Sequence, residues 1–397
     1  MSAFWPPRST SLALALMVVG CGGARAREAE TPTGATAQRG EAQLVPRTVI
    51  TPDGATDVVE MYDEGRRLLD AGDAVRAARL LQRVYELDPD GRLAPDALYS
   101  AALAAEQAGD RERALQWFEQ LARRFPKHAL GREALIRAMR LLVFMERWER
   151  AEQLADLVLS KKAELSPRET IVALSSKALG QIARGQIDEA SFNVEKARNV
   201  IEAHQLDAAG AIPRDLAQTF YALGEIRRVR AAKIKFVPVP QNFGVVLEQR
   251  CQLLLDAQRA YSDTMRAYDS HWSGMAGFRV GQLYKDLHTD LMSIPKPSTA
   301  DSEARQALFE GAMRLRYSIL LDKALAMMEH TLSMAKRTGE QSDWVLRART
   351  AKSDLEQARK RENEAIDRLP YTREQLRQAL DDLAAKKRDE ASSKVGN

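Results

Sequence analysis

Gly72-Asp73-Ala74-Val75-Arg76-Ala77 and Gly109-Asp110-Arg111-Glu112-Arg113-Ala114 stand 37 residues apart and follow one pattern. Each leads into an apolar-periodic segment, and each segment stops at a proline, Pro89 or Pro126, again 37 apart. Glu146-Arg147-Trp148-Glu149-Arg150-Ala151 is a third copy and Gly185-Gln186-Ile187-Asp188-Glu189-Ala190 a fourth, so alanines 77, 114, 151 and 190 are spaced by 37, 37 and 39. Each slot has a physical purpose. Glycine supplies the left-handed backbone that closes one helix, and aspartate accepts orphan N–H groups at the start of the next. The small alanine lets the second helix cross the first closely. Four residues on, Leu81, Phe118, Ala155 and Val194 supply a core knob. Proline then ends the helix because it cannot continue the hydrogen-bond ladder.

This unit resembles the tetratricopeptide repeat, two antiparallel helices that stack into a solenoid. The small slot on the first helix is kept as Gly65, Ala102 and Ala178 and departs at Met139. The family's Trp and Tyr slots also depart, being filled by Met61, Leu98, Leu135 and by Leu68, Ala105, Leu142. The resemblance implies an all-α fold with TPR-like hairpins over residues 56–205; the residues beyond read as a bundle of longer helices over 206–390 and a disordered polar tail at 391–397.

In such arrays the first helix of each unit lines the concave surface. The helical period then turns Tyr62, Arg66 and Leu69 inward from the first unit, Tyr99, Leu103 and Glu106 from the second, and Ile136, Arg140 and Phe144 from the third. Aromatic, aliphatic and arginine groups together make a surface suited to protein segments. The Lys/Asn ladder with which some such repeats clamp a C-terminal carboxylate is missing, so that ligand is not expected. Neither Tyr99 nor Arg140 is assigned to the inter-helix core.

Upstream, Arg8 precedes the apolar run Leu12 to Val19, which is far short of the about 20 residues of a spanning helix. Val18-Val19-Gly20-Cys21 follows and resembles the lipobox of bacterial lipoproteins. The resemblance implies cleavage after Gly20, so that 1–20 is a signal peptide, and diacylglyceryl attachment at Cys21. Several acyl chains give firm anchoring where one does not. Gly22, in place of Asp, leans toward the outer membrane. Residues 21–55, rich in Gly, Thr, Ala and charge, read as a tether reaching about 30 Å by random-coil scaling.

Downstream, residues 214–236 read as a helix with a basic end, Arg227 to Lys235, before the loop Val237-Pro238-Val239-Pro240. Leu247, Cys251, Leu254, Tyr261, Met265 and Tyr268 form one buried helical stripe, ended by Ser273-Gly274. Phe278 to Leu291 make the next helix, stopped at Pro295. A long helix opens near Leu308 and closes at Gly339, another runs from Trp344 to Leu369-Pro370, and a last one starts at Thr372. Phe220-Tyr221-Ala222-Leu223-Gly224-Glu225, with His271-Trp272 and Gly281-Gln282-Leu283-Tyr284, resembles the C-terminal half of repeat lipoproteins of delta-type (myxobacterial) bacteria.

The chain carries 59 basic and 55 acidic residues, a balance without the concentrated basic face of a nucleic-acid binder. The five histidines form no i, i+4 pair, and there is no H-E-x-x-H, G-x-S-x-G, phosphate loop or zinc-type cysteine cluster. Cys251 on an apolar stripe is a poor nucleophile, since burial disfavours the thiolate. The expectation is a protein without catalysis, cofactor, metal or small-molecule substrate. It is a lipid-anchored, periplasm-facing outer-membrane scaffold for envelope proteins, serving assembly, motility or secretion. The alternative reading is a peptidoglycan-associated structural or hydrolytic factor.

Overall fold

The computed structural model describes residues 48–51, 54–160, 165–207, 212–382 and 385. The signal, Cys21, most of the tether and the polar tail lie outside them. An antiparallel strand pair, β1 (Thr48–Thr51) and β2 (Gly54–Asp57), leads into the helices α1 (Val58–Asp70), α2 (Ala74–Leu87), α3 (Ala94–Gln107), α4 (Arg111–Arg124) and α5 (Ala129–Phe144). There follow α6 (Trp148–Ser160), α7 (Pro167–Ala183), α8 (Ile187–Ala203), α9 (Arg214–Lys233), α10 (Phe243–Met265), α11 (Ser270–Met292), α12 (Glu303–Thr338) and α13 (Asp343–Asp367). A final helical stretch occupies 373–382. The fold is all-α with TPR-like hairpins. The strand pair is a local exception within the expected tether: Thr48 pairs with Asp57 and Thr51 with Gly54, and the run Thr48-Val49-Ile50-Thr51 is β-branched throughout.

The hairpin turns repeat in detail. At the end of α1, the Gly72 N–H donates to the Leu69 carbonyl (3.0 Å) and the Asp73 N–H to that of Leu68 (2.9 Å). The end of α3 repeats this with Gly109 to Glu106 (3.1 Å) and Asp110 to Ala105 (2.9 Å), α5 with Glu146 to Val143 (3.1 Å) and Arg147 to Leu142 (2.8 Å), and α7 with Gly185 to Ile182 (3.0 Å) and Gln186 to Gln181 (2.9 Å). This is the doubly bonded closure that places one residue in the left-handed region. Gly72, Gly109 and Gly185 occupy it at φ 84, 83 and 78°. Glu146 takes the same place at φ 58° without the freedom of glycine. Asp73 and Asp110 then cap α2 and α4 through Arg76 and Arg113 N–H groups. Gln186 holds the same capping backbone with no side-chain capping bond, so the closing bonds suffice to keep the turn.

Alanines 77, 114, 151 and 190 are all 0% exposed, as are Leu81, Phe118 and Ala155. A Cβ at Gly65 would lie 2.7 Å from Leu81 Cγ, which is why that slot stays small in the first hairpin. The chain divides into two compact units, one ending at Arg147 and the other beginning at Trp148. The repeat pattern itself runs on to Ala203, so the fourth hairpin, α7–α8, packs with α9 inside the second unit.

Within the second unit each helix packs on its successor from α6 to α13, while α7 also meets α9. Two expectations here are corrected. The stripe expected to run to Tyr268 stops earlier: α10 ends at Met265, and Tyr268 is 86% exposed at φ 54°. Ser273-Gly274 does not end a helix. Asp269 caps α11 by accepting the Trp272 N–H at 2.9 Å, and the helix runs straight through that pair. Further along α11 glycine serves close packing: a Cβ at Gly277 would fall 2.2 Å from Thr331 Oγ1, and one at Gly281 2.3 Å from Met328 Cε. By contrast α12 closes on Gly339 at φ 71°, and α13 starts at Asp343 beside Trp344, as the sequence indicates.

Candidate partner-binding groove

In the first unit α1 meets α3 and α3 meets α5. These first helices of successive hairpins form one layer, and residues 37 apart fall into rows across it. Tyr62, Tyr99 and Ile136 make one row; Arg66, Leu103 and Arg140 make the row one turn further along.

The aromatic row is tied into the repeat stack. Tyr62 is half-buried; burial raises its hydroxyl pKa, with Ser100 and Arg66 pulling the other way. Tyr99 is only 9% exposed and lies edge-on to Phe118, centroids 5.7 Å apart. Its hydroxyl donates to the Glu133 carboxylate and accepts from Arg137 Nε at 3.0 Å. The other end of the same guanidinium reaches Glu106 Oε2 at 3.4 Å. Burial first, then the Glu133 hydrogen bond, push the Tyr99 hydroxyl up to about 12. Tyr99 thus belongs to the packing between hairpins, against the expectation that it stands apart from the core. Ile136 is likewise buried.

Arg137 is the residue the sequence reading missed. It joins Tyr99 and Glu106, two expected groove residues, through a position 38 residues from the tyrosine. The matching pair in the preceding hairpin, Tyr62 and Ser100, is also 38 apart and also hydrogen-bonded. A polar partner one place beyond the tyrosine slot of the next repeat was the legible signal.

Phe144 is half-buried, and the Arg111 guanidinium of α4 sits 4.3 Å from its ring centroid, so this ring faces the second-helix layer. The row Arg66–Leu103–Arg140 is what the first-helix layer presents. Arg66 is half-buried with Nη1 3.3 Å from Ser100 Oγ, Leu103 is half-buried, and Arg140 is exposed.

The second unit holds a different concentration of polar groups. Glu225 on α9 is buried, its Oε1 2.9 Å from Arg279 Nε and 2.6 Å from the donating Tyr261 hydroxyl, its Oε2 2.8 Å from Arg228 Nη2. Arg279 Nε also lies 3.3 Å from the Tyr221 hydroxyl, and Tyr221 is tilted against both Tyr261 and Trp272 at 5.7 and 5.5 Å. A Cβ at Gly224 would be 2.6 Å from the Tyr261 ring, so glycine admits that ring. Burial alone would raise the Glu225 carboxyl, but Arg279 and Arg228 hold it below the usual carboxylate range. With both oxygens occupied, this carboxylate is a strut and not an acid–base group. The basic end of α9 is also engaged: Arg227 donates to the Asp256 carbonyl at 2.7 Å, and Arg230 pairs with Asp188 at 3.2 Å.

Burial pushes the Cys251 thiol up to about 11, which leaves little thiolate at neutral pH. Among the described residues no group of three or more His, Cys, Asp or Glu is placed to hold a metal ion, and no helix is long and apolar enough to cross a membrane.

No family model matches the sequence, and a search of curated proteins finds no relative. Solved structures do match. A tetratricopeptide repeat protein from Parabacteroides merdae is 14% identical, with a TM-score of 0.41 over 75% of this chain and 98% of its own. MamA from Desulfovibrio magneticus is 18% identical, with a TM-score of 0.34 over 52% of this chain and 97% of its own. The human IFIT1 dimer with m7Gppp-AAAA is 14% identical, with a TM-score of 0.38 over 79% of this chain and 70% of its own. These scores are low, and the TPR-like character of the chain rests on its own repeated turns and crossings.

Proposed function

We propose that this chain is a protein-binding scaffold, without catalysis of its own, that holds a partner segment against the α1–α3–α5 layer. The observation that carries this reading is the row Arg66–Leu103–Arg140, one residue from each of three successive hairpins, presented while the neighbouring tyrosine row is spent on packing. Arginine beside an apolar contact is the composition from which binding hot spots are built. The lipobox resemblance at Cys21 supports placement at a membrane, and Gly22 supports the outer one, with the repeats facing the periplasm and serving an envelope assembly, motility or secretion complex.

A photo-crosslinking residue placed at Leu103, compared with one at Arg123 on the outer face of α4, tests the reading in intact envelopes. A discrete adduct with another protein from 103 and not from 123 is expected. Equal or absent adducts at both positions would contradict it.

A further inference from the structure

We propose that the loop between α9 and α10 is a lipid-contact site, in which exposed valines enter the surface of an anionic bilayer while Lys233 and Lys235 meet its headgroups. The inference goes beyond the scaffold reading and draws on it in one respect, that Cys21 brings the chain to a membrane.

The run Phe236-Val237-Pro238-Val239-Pro240-Gln241-Asn242-Phe243-Gly244-Val245-Val246 carries no charge, and Lys233 and Lys235 stand immediately before it. Its apolar side chains do not all turn inward. Phe236 and Phe243 are buried, their rings edge-on with centroids 5.5 Å apart, and they close the base of the loop. Val237 and Val245 flank that base and are 49% and 51% exposed, and Pro238 is exposed as well. Aliphatic groups left in water at one end of the unit gain by entering an apolar phase.

The charges favour lipid over protein. Lys233 and Lys235 are exposed and form no ion pair among the described residues. Arg230, one turn before Lys233, is taken by Asp188 of α8 at 3.2 Å. Glu189 shares its side of α8 with Asn193, which bonds Gln181 of α7 at 2.8 Å, whereas Asp188 meets α9. Glu248, the first acid after the loop, lies one turn beyond Val245 and bounds the surface on α10. Two exposed lysines thus remain against one acid at the loop. Protein hot spots are built from aromatic rings and arginine, whereas the exposed residues from 233 to 245 are Lys, Val, Pro, Gln and Asn. An ammonium on a flexible stem beside an aliphatic contact suits a headgroup layer over acyl chains.

The test uses the mature chain, residues 21–397 with Cys21→Ala, so that neither signal nor acyl chains contribute. Its flotation is measured with vesicles of phosphatidylcholine alone and of phosphatidylcholine mixed with phosphatidylglycerol. The chain should partition onto the anionic vesicles about tenfold or more tighter than onto the neutral ones. Lys233→Gln with Lys235→Gln should cost about thirtyfold on the anionic vesicles. Val237→Ser with Val245→Ser should cost about tenfold or more. Val75→Ser, at a 52% exposed valine on α2, should cost nothing. Every altered position is exposed, and circular dichroism confirms that each variant is folded. Absence of flotation with the anionic vesicles, equal flotation with the neutral ones, or full retention by either loop variant overturns the proposal. A crosslinker at Val245 that captures a protein in envelopes, in place of lipid, gives the surface to a protein and overturns it too. None of these outcomes bears on the Leu103 crosslink, so failure of the lipid site and failure of the groove reading are told apart.

Discussion

Arg279 of α11 reaches back to Glu225 of α9, Nε to Oε1 at 2.9 Å, across a carboxylate that also accepts from Tyr261 of α10. One buried acid thereby ties three consecutive helices of the second unit. Removing one partner from a buried pair leaves the others charged and without compensation, which costs more than the pair was worth. Glu225→Gln should therefore lower the stability of these helices by about 3 kcal/mol, read in urea melts by circular dichroism. A midpoint within error of the parent would show that Arg228 and Arg279 find other acceptors.

The same carboxyl sets an acid limit. Its folded pKa is lowered, so the stability it contributes is present above the ordinary carboxylate range and is lost as pH falls through the folded value. Unfolding of the second unit on acid titration should be less steep in Glu225→Gln than in the parent. Equal steepness would place the acid sensitivity elsewhere.

Glu146 holds the left-handed position that Gly72, Gly109 and Gly185 hold in the other hairpins. A residue with a Cβ at such a φ costs about 1 kcal/mol or more relative to glycine. Glu146→Gly should raise the thermal midpoint, and Gly109→Ala should lower it. The latter Cβ would meet nothing within 4 Å, so the loss would be one of backbone conformation alone. Opposite signs for the two variants are the expected result; a drop in both would show that the Glu146 side chain matters more than its backbone.

Ala114 is fully buried at the crossing of α3 and α4. Ala114→Arg should destabilise the first unit by about 3 kcal/mol or more through overpacking and an unpaired buried charge. A melting shift of under a few degrees would mean that the repeat register is misplaced.

The hairpins were legible in the sequence because their turns are local: a left-handed residue, a capping acid and a small crossing residue lie within six positions of one another. The groove was legible only in part. Rows 37 residues apart named the layer, but which row is spent on packing depends on Arg137, whose partners Tyr99 and Glu106 lie 38 and 31 residues away. Glycine misled at Ser273-Gly274 because Gly274 lies inside α11, where a Cβ would meet only Trp344 Cβ at an ordinary 3.8 Å. Gly277 and Gly281, on the same helix, are explained by Thr331 and Met328, more than 40 residues distant. Tyr268 fits the heptad-like stripe by spacing, yet α10 ends at Met265 with its cap at Arg266, before the stripe reaches it.

Cys21 lies outside the described residues, and its reading is tested in cells. Cys21→Ala should move the protein from the membrane fraction to the soluble fraction, followed by detergent phase partitioning. Unchanged partitioning would contradict the lipobox reading of Val18 to Cys21.

Binding of a protein segment to the α1–α3–α5 layer through Arg66, Leu103 and Arg140, as proposed above, is tested by Leu103→Arg. Leu103 is half-buried at the middle of the row, and an arginine there can extend to solvent from a helix that tolerates it well. The quantity to measure is recovery of the protein captured by a crosslinker at position 70, an exposed site one turn beyond Arg66 on α1, with circular dichroism melting taken on the same preparation. At least a tenfold fall in recovery at an unchanged melting midpoint is expected. Full recovery from an equally stable variant would contradict it and move the binding surface off this layer.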